Sequence, residues 1–325
     1  MRQRLERALV DALAAYCPWT NVYGLSRSIL AFSTAATLAA NEPNILFRPA
    51  AGTSLPPFCD GARHAAVFCL VARPELNVVR WLCVAALLVV ASGWRPRFTG
   101  IIHWWVSVSL QATAVVVEGG DQVAAILSML LIPITLTDGR HWHWSPRACA
   151  PLTDREASRR VWAASGHLLI RLQVAGIYFH AALGKLTVRE WKDGTAMYYW
   201  GTHESFGAPD WLRPLLKPVF TTGWSVASLT WAIILLEICL SFAFLMKKAY
   251  QRTLIYPAIL LHVGIIFVHS LPSFGLIMIA ALILYLHPLG AELQWVSALT
   301  RWLARSTVDR AQPQPVLERG RAAEG

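Results

Sequence analysis

Residues 253–291, TLIYPAILLHVGIIFVHSLPSFGLIMIAALILYLHPLGA, are 39 residues without an Asp, Glu, Lys or Arg. As one helix they would run about 58 Å, roughly twice the ~30 Å hydrocarbon thickness of a bilayer. Leu271-Pro272-Ser273 interrupts them near the middle, and proline cannot continue a helix without losing a hydrogen bond. The stretch therefore reads as a hairpin of two membrane-crossing helices.

Working outward, residues 98–117 lie between Arg97 and Glu118 without a charge, and residues 122–137 lie likewise between Asp121 and Asp138. Segments 24–41, 76–94, 161–185 and 223–246 are the other apolar stretches of spanning length. Together they predict an all-α, polytopic membrane bundle of about eight transmembrane helices. The composition agrees. Hydrophobic residues make up 55% of the 325 and charged residues 15%, where a soluble chain carries about 25% charge. Too few charges remain to cover a soluble surface, so the lipid bilayer is the expected surrounding. The net charge of +10 does not point to nucleic acid, because the basic residues sit at the ends of apolar stretches, where they act as topology signals.

Counting Lys and Arg by loop orients the bundle. With the N-terminus inside, 18 of the 29 fall in inner segments and 7 in outer ones, which predicts N-in and C-in by the positive-inside rule. Arg27, Arg80, Arg171 and Lys185 fall within or at the ends of spans. Arg80 makes 76–94 the weakest span, and its failure would invert every later orientation. A multi-pass protein of the cell membrane follows. Three regions are expected: an amphipathic surface helix over 1–17, with Leu5, Leu9, Leu13 and Tyr16 on one face, the bundle over 18–290, and a short cytoplasmic tail over 291–325, disordered after about residue 306. The outer segments are 42–75 and 186–222. Cys59 and Cys69 share the first, where the exterior permits a disulfide; two separate thiols fit the sequence equally well.

Ionisable groups inside a membrane are costly and so mark function or pairing. On the helix 161–185, at 100° per residue, His167, Arg171, Tyr178 and Lys185 fall within about 40° of one another, while Gln173 and His180 fall on the opposite side. A helix polar on two faces predicts a central position, enclosed by other helices. At 1.5 Å per residue, Arg171, Glu237 and His262 each lie about 14–15 Å from the inner end of their spans. They form a candidate buried polar cluster, read either as packing or as chemistry. An outer layer holds Lys185, His180, His269 and the turn Glu118-Gly119-Gly120-Asp121. Lys185, His180 and His269 are the candidate catalytic residues. For Lys185 the alternatives are an amine that snorkels to the interface or a desolvated base. For each histidine they are packing or proton transfer. His141-Trp142-His143-Trp144 reads as an interfacial anchor more than as a metal site, since no carboxylate or cysteine completes it.

Several stretches carry a family resemblance: residues 18–24 (PWTNVYG), 92–97 (SGWRPR), 99–105 (TGIIHWW), 119–122 (GGDQ) and 136–138 (LTD). In this order and spacing, over roughly residues 15–290, they resemble the sporulation-delaying protein B (SdpB) family. That family belongs to the class with a horizontally transferred transmembrane (HTTM) domain, similar to the membrane part of vitamin K-dependent gamma-carboxylase. Tyr178-Phe179, Lys185-Leu186, Trp191, Gly194 and Met197 are similar to the carboxylase segment with the catalytic lysine, which deprotonates a reduced quinone. Glu237 and His262 resemble the glutamate and histidine of its later helices.

The resemblance implies a role in the production or maturation of an exported antimicrobial peptide toxin, with a secreted peptide precursor and a small accessory protein as partners. Lys185 would then be the base and a reduced quinone the cofactor of a carboxylase-like membrane enzyme working at the outer face. A non-enzymatic transport, assembly or immunity factor for the peptide is the alternative, and a quinone-binding redox protein a third. The carboxylases carry a large lumenal part after their helices, whereas about 35 residues follow the last span here, so glutamate carboxylation itself is not implied.

Overall fold

The computed structural model describes residues 2–49, 52, 55–115, 117–145, 150–287 and 290–299. Among these the regular structure is helical. In chain order the α-helices are α1 (Arg2–Ala15), α2 (Asn21–Ala40), α3 (Pro43–Leu46), α4 (Leu76–Ser92), α5 (Pro96–Thr113), α6 (Gly119–Leu130), α7 (Ile132–Thr137), α8 (Asp154–Thr187), α9 (Arg189–Lys192), α10 (Ala196–Thr202), α11 (Arg213–Thr221), α12 (Gly223–Phe242), α13 (Lys248–Val268) and α14 (Pro272–Leu286). Four helical segments have the length and apolarity to cross a membrane: Arg73–Ser92, Gly119–Thr137, Gly223–Leu245 and Lys248–Val268. With the shorter apolar α14, they make this a membrane protein. Helices α2, α5 and α8 are more polar because they carry the buried charged and hydrogen-bonding groups described below.

The charge-free stretch 253–291 does bend at its proline. Helix α13 ends at Val268, Ser270 adopts φ +53°, and Pro272 opens α14, where its missing N–H costs nothing. Gly275 lets the two helices close, since a Cβ there would lie 2.9 Å from the His262 carbonyl.

Helix α14 holds the centre. Its residues from Ala280 to Leu286 are all buried, as are Gly275, Ile277 and Met278. It joins α2, α6 and α8 in the main hydrophobic core with Tyr23, Leu127, Ile170, Val174 and Tyr178. This corrects the expected enclosure of the helix over 161–185. Helix α8 leaves Trp162, Leu168, Leu169, Leu172, Phe179 and Leu183 exposed along one side. Its His167–Lys185 stripe faces inward, and His180 is exposed. The helix that is apolar all round is surrounded by protein, while the one with two polar faces borders the lipid-facing surface. Packed protein and acyl chains are similarly apolar solvents, so hydropathy does not distinguish them.

A second core of Leu38, Leu46, Phe47, Phe68, Leu87 and Leu110 joins α2, α4 and α5 to the 42–75 segment. Arg80 does not disrupt α4. Its guanidinium donates to the carbonyls of Leu38 and Asn41 at 3.0 and 2.9 Å, at the end of α2, and to Asn77 Oδ1 at 2.9 Å. It thus satisfies helix-terminal acceptors that have no intrahelical partner. Cys59 and Cys69 are joined in a disulfide, which decides between the two readings of that pair.

Helix α1 docks by its end. Arg160 of α8 donates to the Leu13 and Ala14 carbonyls at 3.0 and 2.8 Å, and the Tyr16 hydroxyl bonds His167 Nδ1 at 2.5 Å. The segment after α14 is fastened too. The Asn21 amide accepts from Leu293 N at 2.8 Å and donates to Leu293 O at 3.1 Å and Ser297 Oγ at 2.9 Å. The tail expected to be disordered after about residue 306 lies outside the described residues.

Candidate functional site

Two hydrogen bonds tie α8 to the helices that follow it. Lys185 Nζ donates to Glu237 Oε1 of α12 at 2.7 Å. The Tyr178 hydroxyl, two turns earlier on the same stripe, bonds His262 Nε2 of α13 at 2.8 Å. The spacing of seven residues returns a helix to nearly the same face, so one side of α8 presents both groups. The Lys185 side chain is 22% exposed and that of Glu237 8%; Tyr178 and His262 are buried. Trp191 covers the amine, with Nζ 5.1 Å from its ring centroid, a cation–π contact. Glu237 Oε2 and His262 Nδ1 are buried without a protein hydrogen-bond partner. A charged donor, a carboxylate and two unpartnered polar atoms thus share one site on α8, α12 and α13.

The short helices beyond α8 fold back over this site. Gly194 turns the chain at φ +80°, a conformation that L side chains resist, and Met197 N donates to Thr230 Oγ1 of α12 at 3.2 Å. Trp191, six residues beyond Lys185, is thereby set against the amine.

The expected grouping of Arg171 with Glu237 and His262 is not what forms. Glu237 is taken by Lys185, and Arg171 has no ion-pair partner among the described residues. It acts electrostatically on His167 and Tyr285 instead. The separation into an inner and an outer layer fails with it, because Lys185 of the outer layer bonds Glu237 of the inner one. Counting rise per residue assumed that every helix starts at one level. Helix α8 has 34 residues, about 51 Å, and the lysine side chain adds further reach.

Nor do the other candidates join Lys185. His269 Nδ1 bonds the Phe206 carbonyl at 2.6 Å, and its ring lies 6.1 Å from that of Trp200. Glu118 and Asp121 form a capping box at the start of α6, with Glu118 N donating to Asp121 Oδ2 at 3.1 Å. The start of α6 also packs closely on the start of α14, where Ser273 and Phe274 lie beside the Glu118 carboxylate. Gly120 permits this closeness, since a Cβ there would lie 2.9 Å from Phe274 Cα.

A second polar centre was not anticipated as one. The Tyr23 hydroxyl donates to Asp138 Oδ2 at 2.7 Å, and Arg140 grips the same carboxylate through Nε at 3.0 Å and Nη2 at 2.8 Å. Arg27 donates to Val90 O at 3.2 Å and Thr99 Oγ1 at 2.5 Å. His143 is fully buried, with its ring in the space left by Gly93 at φ +90°, where a Cβ would lie 2.4 Å from Cδ2. It is a packed histidine, unlike an interfacial anchor. The motifs at 18–24, 92–97, 99–105 and 136–138 all contribute here; their common destination was the signal that could have revealed it.

The HTTM domain model matches residues 124–289. The chain is 34% identical over 304 residues to "Sporulation-delaying protein SdpB" of Bacillus subtilis (strain 168), covering 92% of each. This chain belongs to the SdpB family of HTTM-domain proteins. A second relative, "Uncharacterized protein YitO" of the same organism, is 41% identical over 280 residues, covering 86% of this chain and 89% of that protein. No solved structure matches. The HTTM match contains the whole Lys185–Glu237–Tyr178–His262 site and omits most of the Arg27–Asp138 centre.

Proposed function

We propose that this SdpB-family protein crosses the cell membrane eight times, with both termini inside, and assists production of an exported antimicrobial peptide toxin by carboxylase-like chemistry at its outer face. Helices at all eight expected segments support the span count. The inward bias of Lys and Arg supports the orientation, as does a disulfide in the 42–75 segment, since such bonds persist in oxidising surroundings. The involvement of a toxin pathway rests on the relationship to SdpB.

The observation that carries the chemical part is the Lys185–Glu237 hydrogen bond beside the Tyr178–His262 pair. A reduced quinone is the implied cofactor, and the residues fit one: Lys185 offers N–H groups, while Glu237 Oε2 and His262 Nδ1 have no protein partner. Bound there, it would supply an ionisable hydroxyl and reducing equivalents. Lys185 acts as the base once its own proton has passed to Glu237 along their hydrogen bond. Tyr178 and His262 hold the neighbouring helices in register, and Trp191 limits access of water to the amine.

The same ion pair also suits a non-enzymatic transport, assembly or immunity factor, in which it joins α8 to α12 and does no more. Lys185→Arg separates the two, because arginine preserves the charge and the pair but does not release its proton. Mass spectrometry of the exported peptide, from cells in which the variant reaches normal membrane levels, reads the result. Loss of the mature product supports the base. Normal product removes it and leaves the structural role.

A further inference from the structure

The short helices that cover Lys185 lie at a definite depth. The apolar segment Gly223–Leu245 has 23 residues and runs about 34 Å, against ~30 Å of hydrocarbon. The membrane border therefore falls within about one turn of Gly223. Helices α10 and α11 pack beside the first turns of α12 rather than above them. Met197 N of α10 donates to Thr230 Oγ1 at 3.2 Å, and Thr230 is seven residues, about 10 Å, along α12 from Gly223. Phe220 of α11 joins Met197 and Val226 in one apolar core, against which Leu229 and Ile233 pack. Gly201 brings α10 onto α11, since a Cβ there would lie 2.3 Å from Phe220 Cγ.

The remaining surface of this pair is apolar and uncovered. Trp211 is 70% exposed, Leu215 73% and Trp224, in the first turn of α12, 77%; Tyr199 and Trp200 of α10 are exposed as well. Contiguous apolar surface of this kind marks a face that something else covers. At 100° per residue, Leu215 and Val219 share one side of α11, and Arg213 and Lys217 lie about 160° away. Leu216 and Phe220 belong to the core with α12. Arg213 pairs with Asp210 at 3.0 Å, and both are open to the surroundings. Tryptophan and leucine on one side and basic groups on the other is the pattern of a helix lying flat in the boundary between headgroups and acyl chains.

We propose that α10 and α11 are sunk into the bilayer leaflet at the Gly223 end of α12, with Trp211, Leu215 and Val219 among phospholipid acyl chains and Arg213 and Lys217 at the phosphates. The occupant is lipid because the patch continues into the lipid-facing side of α12. Trp224, Trp231, Leu235 and Phe242 stand within about 40° of one another and are all exposed, a stripe down the length of the helix. Trp224 stands three residues beyond the end of α11, so patch and stripe meet there. The cover over Lys185 is then fastened to lipid as well as to α12. The inference holds for either orientation of the bundle and does not depend on the chemistry at Lys185.

Spin labels test this in the full chain, with Cys17, Cys83, Cys149 and Cys239 replaced by alanine, in vesicles of phosphatidylcholine and phosphatidylglycerol. At Leu215→Cys, oxygen, which concentrates among acyl chains, should relax the label more than a water-soluble nickel chelate does. At Lys217→Cys the order should reverse. Trp211→Cys, on the same uncovered surface, serves if Leu215→Cys does not fold. Nickel reaching the Leu215→Cys label as readily as the Lys217→Cys label means a loop standing in water. Shielding of the Leu215→Cys label from both reagents means cover by protein, a second copy of the chain. Either result overturns the proposal.

Discussion

Lys185 and Glu237, 52 residues apart in sequence, meet at 2.7 Å between α8 and α12. Within a membrane bundle that bond is structural as well as chemical. Removing one partner leaves a buried charge uncompensated, at a cost of about 3–5 kcal/mol. Glu237→Ala should therefore lower folded yield sharply, and the double variant Lys185→Ala/Glu237→Ala should recover much of it. Size-exclusion profiles of detergent-extracted protein measure this. Equal losses in single and double variants would mean that the bond contributes little.

Tyr178→Phe tests the neighbouring contact more gently. It deletes one hydroxyl and leaves His262 Nε2 buried without its partner, which costs about 1–3 kcal/mol. A lower melting temperature at normal expression is expected, measured by thermal unfolding in detergent. An unchanged value would show that His262 finds another partner.

Gly93→Ala addresses the second polar centre. The new Cβ would lie 2.4 Å from His143 Cδ2 at a backbone φ of +90°, so steric overlap and left-handed strain act together. Loss of folded protein is expected, with partial recovery when His143→Ala is added, because only the overlap is relieved. No recovery would place the whole effect in the backbone.

The Cys59–Cys69 bond offers a test of orientation. In intact cells an impermeant thiol reagent should label this pair only after reduction with an impermeant phosphine. Closing so short a loop stabilises by about 2–3 kcal/mol, so Cys59→Ser should also lower the melting temperature. Labelling that requires broken cells would reverse the topology.

Much of the fold was legible because lipid permits so few solutions. The run over 253–291 and its proline dictated the α13–α14 hairpin, and the positions of the remaining helices followed from apolar stretches of spanning length, two of them free of charge. Which helix sits inside was not legible. Both α14 and the exposed arc of α8 are apolar, and hydropathy cannot tell acyl chains from packed side chains. At the site, helical phase correctly put Tyr178 and Lys185 on one stripe. Glu237 was grouped with Arg171 rather than with Lys185 because depth counted along the chain ignores where each helix begins. Arg27, Asp138 and His143 were overlooked as a unit since they come from α2 and from a loop more than a hundred residues away, a proximity that no periodicity encodes.

The Asn21 clamp on Leu293 spans 272 residues, and that distance is also a delay. At about 5–20 residues per second of synthesis, the first helix enters the bilayer tens of seconds before its lock exists. During that interval the Asn21 amide must remain hydrated or be sheltered by the insertion machinery. Maturation of the folded protein is thus timed by release of the last segment from the ribosome, and truncation shortly before Leu293 should yield chains that insert but are cleared by quality-control proteases.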